Sequence, residues 1–338
     1  MEFLKSAFDA FLNEEGTVEI AGYTFCRDAV LRELESVGYN EAFLEWCEQR
    51  KGENLTRAEE ILKRFDNAGR FRKLKEIYRR GAITPFVGAG MSMPSGYPGW
   101  TGFLYRMLPE TRVEEKHFDA LIRDGQYEDA AEVLHNDLPP GCFLEQVENE
   151  FGADREILGS VRRLPYIFNN AVITTNFDDV LVGAYDLAGC RFNEVLEGAD
   201  AAEFPRLLGE NRKVLVKLHG KANSSRKRVL TKSEYEKHYQ DEQGLELVIE
   251  AISTRSLLFM GCSLTIDRTI KCLGRIVARK GVENTPRHYA FIKLNDGDNR
   301  LERRDELARS NIYPIWYTGD HDESLDALFE ALAQELYV

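Results

Sequence analysis

From residue 81 onward, short apolar runs rich in β-branched residues alternate with longer stretches whose apolar residues recur every three to four positions. The short runs predict buried strands, and the longer stretches predict amphipathic helices. The predicted strands are 83–87, 171–174, 214–218, 257–260, 289–293 and 312–317. The predicted helices are 114–124, 127–135, 142–151, 244–253 and about 323–337. This alternation predicts an α/β fold, with a mainly parallel sheet and helices on both faces.

The first part of the chain, residues 1–78, has a different pattern that predicts mainly helices. Its first apolar residues fall at helical spacing, and Gly16 follows them as a stop. Residues 17–25 favour a small hairpin. Thr56 and Glu59 form a capping-box pattern, which predicts that a further helix starts there.

These patterns predict two domains. Residues 1–78 form a helical N-terminal region, and residues 79–338 form the α/β domain, with a helical insertion at about 103–165. We expect residues 1–78 either to contact other subunits or a partner protein, or to pack against the α/β domain. Within the first strand, Pro85 cannot donate a hydrogen bond to a neighbouring strand, so this strand should be short or partly unpaired.

Charge and hydropathy exclude several classes of function. With 57 acidic and 44 basic residues the net charge is −13, which argues against direct, non-specific binding of nucleic acid. No apolar run is long enough to span a bilayer, and the start of the chain lacks a basic segment leading into an apolar one. We therefore expect a cytoplasmic protein that does not bind membranes.

The six cysteines are scattered and contain no C-x-x-C pair. Zinc knuckles and ribbons need two close pairs to complete a tetrahedral shell, so we expect no structural zinc and no metal-binding residues. In a reducing compartment such cysteines are most simply small buried apolar residues.

Four predicted strands end in glycine or in small polar and titratable residues. In an open, Rossmann-like α/β sheet, ligands bind beyond the carboxyl ends of the strands, so these residues would share one edge. Taken singly, each has a structural interpretation as a turn, a helix cap or a hydrogen-bonded histidine. The four segments are Gly88-Ala89-Gly90-Met91-Ser92, Thr175-Asn176-Phe177-Asp178, His219-Gly220 and Gly261-Cys262-Ser263.

The order of these segments resembles the sirtuin family, specifically the sirtuin-like domains of bacterial anti-phage defence proteins. The resemblance covers roughly residues 79–338. The matching motifs are "GAGMS" (88–92), "GYPGW" (96–100), "TTNFD" (174–178), "KLHG" (217–220), "LTKSEYEKHY" (230–239) and "GCSLTID" (261–267).

The resemblance implies a role in NAD cleavage for three residues. Asn176 and Asp178 would hold the nicotinamide ribose and a water molecule near its anomeric carbon. His219 would act as a general base, because an imidazole accepts a proton near neutral pH. Trp100 would either cover the nicotinamide pocket or pack in the core.

The resemblance also implies a set of residues that bind the dinucleotide. Glycines 88 and 90 would let the backbone approach the pyrophosphate, next to Ala89 and the hydroxyl of Ser92. Residues from three other strand ends would complete the site beside the ribose and phosphate groups. These residues are Thr175, Gly261, Ser263 and Asn295, the last beside the adenosine ribose.

The function implied by the resemblance is NAD+ hydrolysis to nicotinamide and ADP-ribose, with cyclic ADP-ribose as a minor product and NAD+ depletion as the antiviral effect. Two alternatives stay open, namely a subunit that senses NAD or ADP-ribose without turnover and an NAD-dependent protein deacylase. Because the chain lacks the zinc ribbon of the deacetylases, the deacylase is the weaker alternative. The resemblance further implies control by assembly, through a homo-oligomer or a separate partner such as a HerA-type ATPase or another defence component.

Overall fold

The computed structural model describes residues 2–224, 227–239, 242–264 and 268–334. The chain divides into two compact units, Met1–Glu60 with Glu323–Val338, and Ile61–Asp322. The first boundary lies upstream of the one expected at residue 78, and the predicted assignment of domains stays a prediction.

The first unit contains helices around a small aromatic cluster. Its elements are α1 (Lys5–Asn13), β1 (Thr17–Ile20), β2 (Tyr23–Cys26), α2 (Arg27–Leu34) and most of α3 (Ser36–Leu62), as far as Glu60. The strands β1 and β2 pair antiparallel, which confirms the hairpin. Phe8 is buried, and its ring centroid lies 5.4 Å from those of both Tyr39 and Phe43.

The predicted helix start at Thr56 is wrong. Thr56 lies inside α3, and its hydroxyl donates to the Gly52 carbonyl at 3.0 Å instead of capping a helix. No proline interrupts residues 36–62, so the helix continues through the capping-box pattern.

The second unit is built on a seven-stranded sheet. Its strands are β3 (Ile83–Val87), β4 (Ala171–Thr174), β5 (Glu194–Glu197), β6 (Val214–Lys217), β7 (Ser256–Met260), β8 (His288–Lys293) and β9 (Ile312–Tyr317). The helices up to β4 are α4 (Asn67–Arg79), α5 (Trp100–Met107), α6 (Glu115–Arg123), α7 (Tyr127–Asp137), α8 (Cys142–Phe151) and α9 (Leu164–Ile167). The later helices are α10 (Val180–Leu187), α11 (Phe204–Gly209), α12 (Lys232–Tyr239), α13 (Glu242–Ile252), α14 (Arg268–Lys280) and α15 (Arg300–Ala308). The final helix, α16 (His321–Ala333), belongs to the first unit from Glu323 onward.

The sheet has the strand order β5-β6-β4-β3-β7-β8-β9, and every pair of neighbours is parallel. This confirms the predicted α/β fold and all six predicted strands. Without the edge strand β5, the order is that of the doubly wound dinucleotide-binding folds. The sequence pattern missed β5, because Glu194 and Glu197 at its ends leave no apolar run.

Pro85 limits the pairing of the central strand, as expected from its missing N–H. All five residues of β3 are in register with β7, whereas only Phe86 and Val87 are in register with β4. The strand is therefore partly unpaired on the β4 side.

The strand order reverses between β3 and β7, and the turns after these two strands lie in contact. The N–H of Gly88 donates to Met260 O at 2.9 Å, and the N–H of Gly90 donates to Gly261 O at 2.8 Å. A Cβ atom at Gly88 would lie 2.6 Å from Gly261 O, and Gly261 itself has a left-handed φ of +64°. In this family of sheets the crevice beyond such a reversal is where ligands bind.

Among the described residues, no helix is both long and apolar enough to cross a membrane.

We expect Gly88→Ala to destabilise the protein by about 1–3 kcal/mol, because the added methyl group would overpack the contact between the two turns. Gly102→Ala is the matched control, since a Cβ at Gly102 meets nothing within 4 Å and the residue lies in α5. Alanine there should be neutral or stabilising by up to about 1 kcal/mol. Urea unfolding measures both changes. Equal stability of Gly88→Ala and the wild type would contradict the packing argument.

Candidate functional site

A cavity of about 880 Å³ lies beyond the carboxyl ends of the strands of the second unit. Its volume falls in the range of small-molecule sites. Residues after β3, β4, β6, β7 and β8 contribute to its lining, together with residues around the start of α7. The cavity is thus formed where the strand order predicts a ligand site.

The structure brings the sequence-predicted site residues to this cavity, with one exception. Ser92 does not line the cavity; it lies buried and contacts two residues that do. The predicted site residues that line the cavity are Gly88, Ala89, Gly90, Thr175, Asn176, Asp178, His219, Gly261, Ser263 and Asn295.

Ser92 connects the two polar side chains of the loop after β4. Asn176 Nδ2 donates to Ser92 Oγ at 3.1 Å, and Ser92 Oγ donates to Asp178 Oδ1 at 3.1 Å. All three side chains are buried. Within the described part of the chain, the amide oxygen of Asn176 makes no hydrogen bond, so it is the end of the amide that a ligand would use. The predicted contact of Ser92 with phosphate stays a prediction.

Asp178 lies just before the helix α10, whose N-cap residue is Asp179. Its Oδ1 accepts a hydrogen bond from the Val180 N–H at 3.1 Å, so its side chain stabilises the turn that leads into α10. Burial raises the pKa of the Asp178 carboxyl, although Lys217, Val180 and Ser92 oppose the shift. The carboxylate is therefore held in place by two donors at the cavity wall.

The loop after β4 is fixed to its neighbouring strand. The N–H of Asn176 donates to Thr174 Oγ1 at 2.9 Å, and Thr174 Oγ1 donates to Val87 O at 2.8 Å. Because Val87 is the last residue of β3, this chain of bonds sets the position of Asn176 relative to the glycine turn.

In the glycine turn, only part of the backbone is available to a ligand. The N–H groups of Gly88 and Gly90 donate to the turn after β7, as described above. Ala89, the first residue of a short 3₁₀ turn, has a backbone N–H that donates to no other described residue. The two glycines explain the close packing of the turns, and their contact with a diphosphate stays a prediction.

His219 follows β6 and presents its ring to the same cavity. The imidazole centroid lies 5.9 Å from that of Phe177 and 6.0 Å from that of Tyr235. Among the described residues, none makes a hydrogen bond to the ring. Burial lowers the pKa of His219 to about 4, so the imidazole is neutral near pH 7 and can accept a proton.

Trp100 packs in an aromatic cluster and also lines the cavity, and its role as a cover over the nicotinamide pocket stays a prediction. It is half-buried, and its ring lies 5.5 Å from Phe103 and 5.7 Å from Phe177 between centroids. Phe177 in turn contacts His219, so the cluster supports the wall beside the imidazole.

Asn295 lines the cavity beyond β8. Its backbone N–H and its Nδ2 donate to Asp298 Oδ2 at 2.9 and 3.3 Å. Arg303 bonds to Asp298 Oδ2 at 2.9 Å and to Ser263 O at 3.0 Å, and so connects the turns after β7 and β8.

The sequence pattern missed an ion pair in the cavity wall. Glu128, in the first turn of α7, lies 3.8 Å from Arg268 Nε, and the Arg268 guanidinium lies 4.9 Å from the Tyr235 ring centroid. Burial raises the pKa of the Glu128 carboxyl. No local signal could have identified Glu128, because its place depends on how the helical insertion folds over the strand ends.

The described residues test two other sequence predictions only in part. Residues 265–267 of the motif at 261–267 lie outside the described residues. Over the described ranges no three His, Cys, Asp or Glu side chains converge as a metal site requires, and the expectation that no metal takes part stays a prediction.

Comparison with known proteins agrees with the motifs. Residues 170–315 match the family model of the SIR2-like domain, which confirms the resemblance over that range. The chain is 25% identical over 242 residues to "NAD(+) hydrolase ThsA" of Enterococcus faecium, an alignment that covers 69% of this chain and 48% of the relative. It is 25% identical over 224 residues to the protein of the same name from Cytobacillus dafuensis, covering 66% and 43%. The chain thus spans just under half the length of these relatives.

We expect Ser92→Ala to destabilise the protein by about 1–3 kcal/mol, because it leaves the buried Asn176 amide without its partner and removes one of the two donors to the buried Asp178 carboxylate. Ser233→Ala is the matched control. Ser233 also gives its hydroxyl to a carboxylate, Glu132 at 2.6 Å, but it is exposed, so water replaces the lost bond. Denaturant unfolding of both variants tests this difference, and an equal loss in the two would refute it.

Proposed function

We propose that this chain, whose residues 170–315 match the family model of the SIR2-like domain, is an NAD+ hydrolase that cleaves the bond between nicotinamide and ribose. The products would be nicotinamide and ADP-ribose, with cyclic ADP-ribose as a minor product. The main support is that Asn176, Asp178 and His219, from two different strand ends, line one cavity at the crevice of the sheet. The names of the relatives are consistent with the same activity.

The lining of the cavity suits a dinucleotide. The N–H of Ala89, which donates to no other described residue, and the turn after β7 would take the diphosphate, at the point where the strand order reverses. Asn295, beyond β8, would contact the adenosine ribose. The nicotinamide ribose would then lie beside Asn176 and His219.

The reaction needs few groups from the protein. The nicotinamide leaves with its bonding electron pair, which neutralises the positive charge of its ring, while a water oxygen bonds to the anomeric carbon and loses a proton. The neutral His219 imidazole would accept that proton. Asn176 would orient the ribose or the water, and the Asp178 carboxylate would stabilise the positive charge that develops on the ribose.

We further propose that this activity depletes NAD+ as part of a bacterial anti-phage defence system. This role rests on the motif resemblance. It requires control of the activity, by homo-oligomerisation or by a separate partner such as a HerA-type ATPase or another defence component.

We expect the wild-type protein, alone or in its activated assembly, to release nicotinamide from NAD+, and His219→Ala and Asn176→Ala to lose at least about 100-fold in kcat. His117→Ala is the control, because His117 is exposed and does not line the cavity. Chromatography of nicotinamide measures turnover, and calorimetry on the two inactive variants measures binding. Binding of NAD+ without turnover in every protein, the wild type included, would favour the sensing alternative.

The lowered pKa of His219 predicts an unusual pH profile. Only the neutral imidazole accepts a proton, so kcat/KM should rise as the pH increases through about 4 and then stay level to pH 8. An ordinary histidine would place the midpoint near 6.5. Because burial raises the pKa of the Asp178 carboxyl, this group could contribute to the profile, so the profile is repeated with Asp178→Asn, and circular dichroism checks folding at each pH. A midpoint between 6 and 7 would show that His219 with a lowered pKa is not the proton acceptor in the free enzyme.

A further inference from the structure

Lys217, the last residue of β6, lies two positions before His219. Its side chain is 1% exposed, and it does not line the cavity. A buried ammonium group is costly unless its hydrogen-bonding groups are satisfied, so its surroundings need an explanation.

The ammonium of Lys217 bonds to three consecutive residues of the loop after β4. Its Nζ donates to Asp178 O at 2.6 Å, to Phe177 O at 3.2 Å and to Asp179 Oδ1 at 3.0 Å. A lysine has three N–H donors and no acceptor, so these bonds use its full capacity.

The target of these bonds is the loop that carries Asn176 and Asp178. Two of the three acceptors are backbone carbonyls, and each fixes the plane of the peptide group next to a cavity residue. The loop is tied to β3 through Thr174 on one side and to β6 through Lys217 on the other. A neutral apolar side chain at this position would leave both carbonyls without this donor.

We propose that Lys217 is a positioning residue for NAD+ cleavage, because it fixes the loop bearing Asn176 and Asp178 to the strand that leads to His219. This inference rests on the proposed function. The ammonium touches no substrate; it sets the distance between the groups that orient the ribose and the group that accepts the proton.

Lys217→Met tests the inference, because methionine keeps the apolar stem and removes the ammonium. We expect kcat to fall by about 10- to 100-fold, since displacement of catalytic groups by about 1 Å costs that much. The KM for NAD+ should change by less than about threefold, since the side chain lies outside the cavity lining. Lys217→Arg keeps the cation and its donors, and we expect its kcat to lie between those of the wild type and Lys217→Met.

Two controls separate positioning from a general effect on folding. Lys75→Met removes a different buried lysine, which lies in α4 outside the cavity lining, and should leave kcat unchanged. Asp179→Asn weakens one of the three bonds, at a carboxylate that is 60% exposed, and should lower kcat by less than about threefold. Thermal melting verifies that each variant is folded under the assay conditions.

Amide hydrogen exchange provides a readout that does not depend on turnover. In Lys217→Met we expect faster exchange at the N–H groups of Asn176 and Val180, and unchanged exchange in the centre of β6. If Lys217→Met does not fold, Lys217→Arg is used for both the kinetic and the exchange measurement.

The outcomes distinguish the two proposals. A kcat within threefold of the wild type, a loss confined to KM, or unchanged exchange in the loop would overturn the role of Lys217. Faster exchange in the variant, together with no NAD+ cleavage by the wild type, would support the fixation of the loop by Lys217 and overturn the proposed function.

Discussion

The backbones of the turns after β3 and β7 are in direct contact, and the cavity is built around this contact. Hydrogen bonds from Gly88 to Met260 O and from Gly90 to Gly261 O hold the turns together, and no space remains for a side chain at Gly88. Since the strand order reverses between these strands, their separation sets the shape of the crevice beyond the sheet. Packing alone therefore requires glycine here, whether or not a ligand binds.

The sheet and the place of the site could be predicted from the sequence because both depend on local patterns. Buried parallel strands appear as β-branched apolar runs, and the residue after each run must lie at the same edge of the sheet. This reasoning is sufficient to bring Asn176 and His219 to one cavity. The same reasoning does not predict the edge strand β5, because Glu194 and Glu197 interrupt the apolar pattern there.

The detailed chemistry of the site could not be predicted, because it depends on contacts between residues far apart in the chain. The hydroxyl of Ser92 was expected to face phosphates, yet it is engaged by Asn176 and Asp178, 84 and 86 residues away. Glu128 reaches the cavity only through the folding of the helical insertion. A local capping pattern at Thr56 was similarly overridden by the continuing helix α3.

The position of Lys217 behind the loop fits the electrostatics of the proposed reaction. Cleavage of the glycosidic bond develops positive charge on the ribose, so a cation facing the cavity beside His219 would oppose it. Lys217 instead directs its ammonium at the carbonyls of Phe177 and Asp178, with Asp179 Oδ1 at 3.0 Å as its counter-charge. The cavity wall next to the neutral His219 imidazole therefore contains the Asp178 carboxylate as a charged group. A buried lysine can thus fix the geometry of the loop while its charge stays outside the cavity.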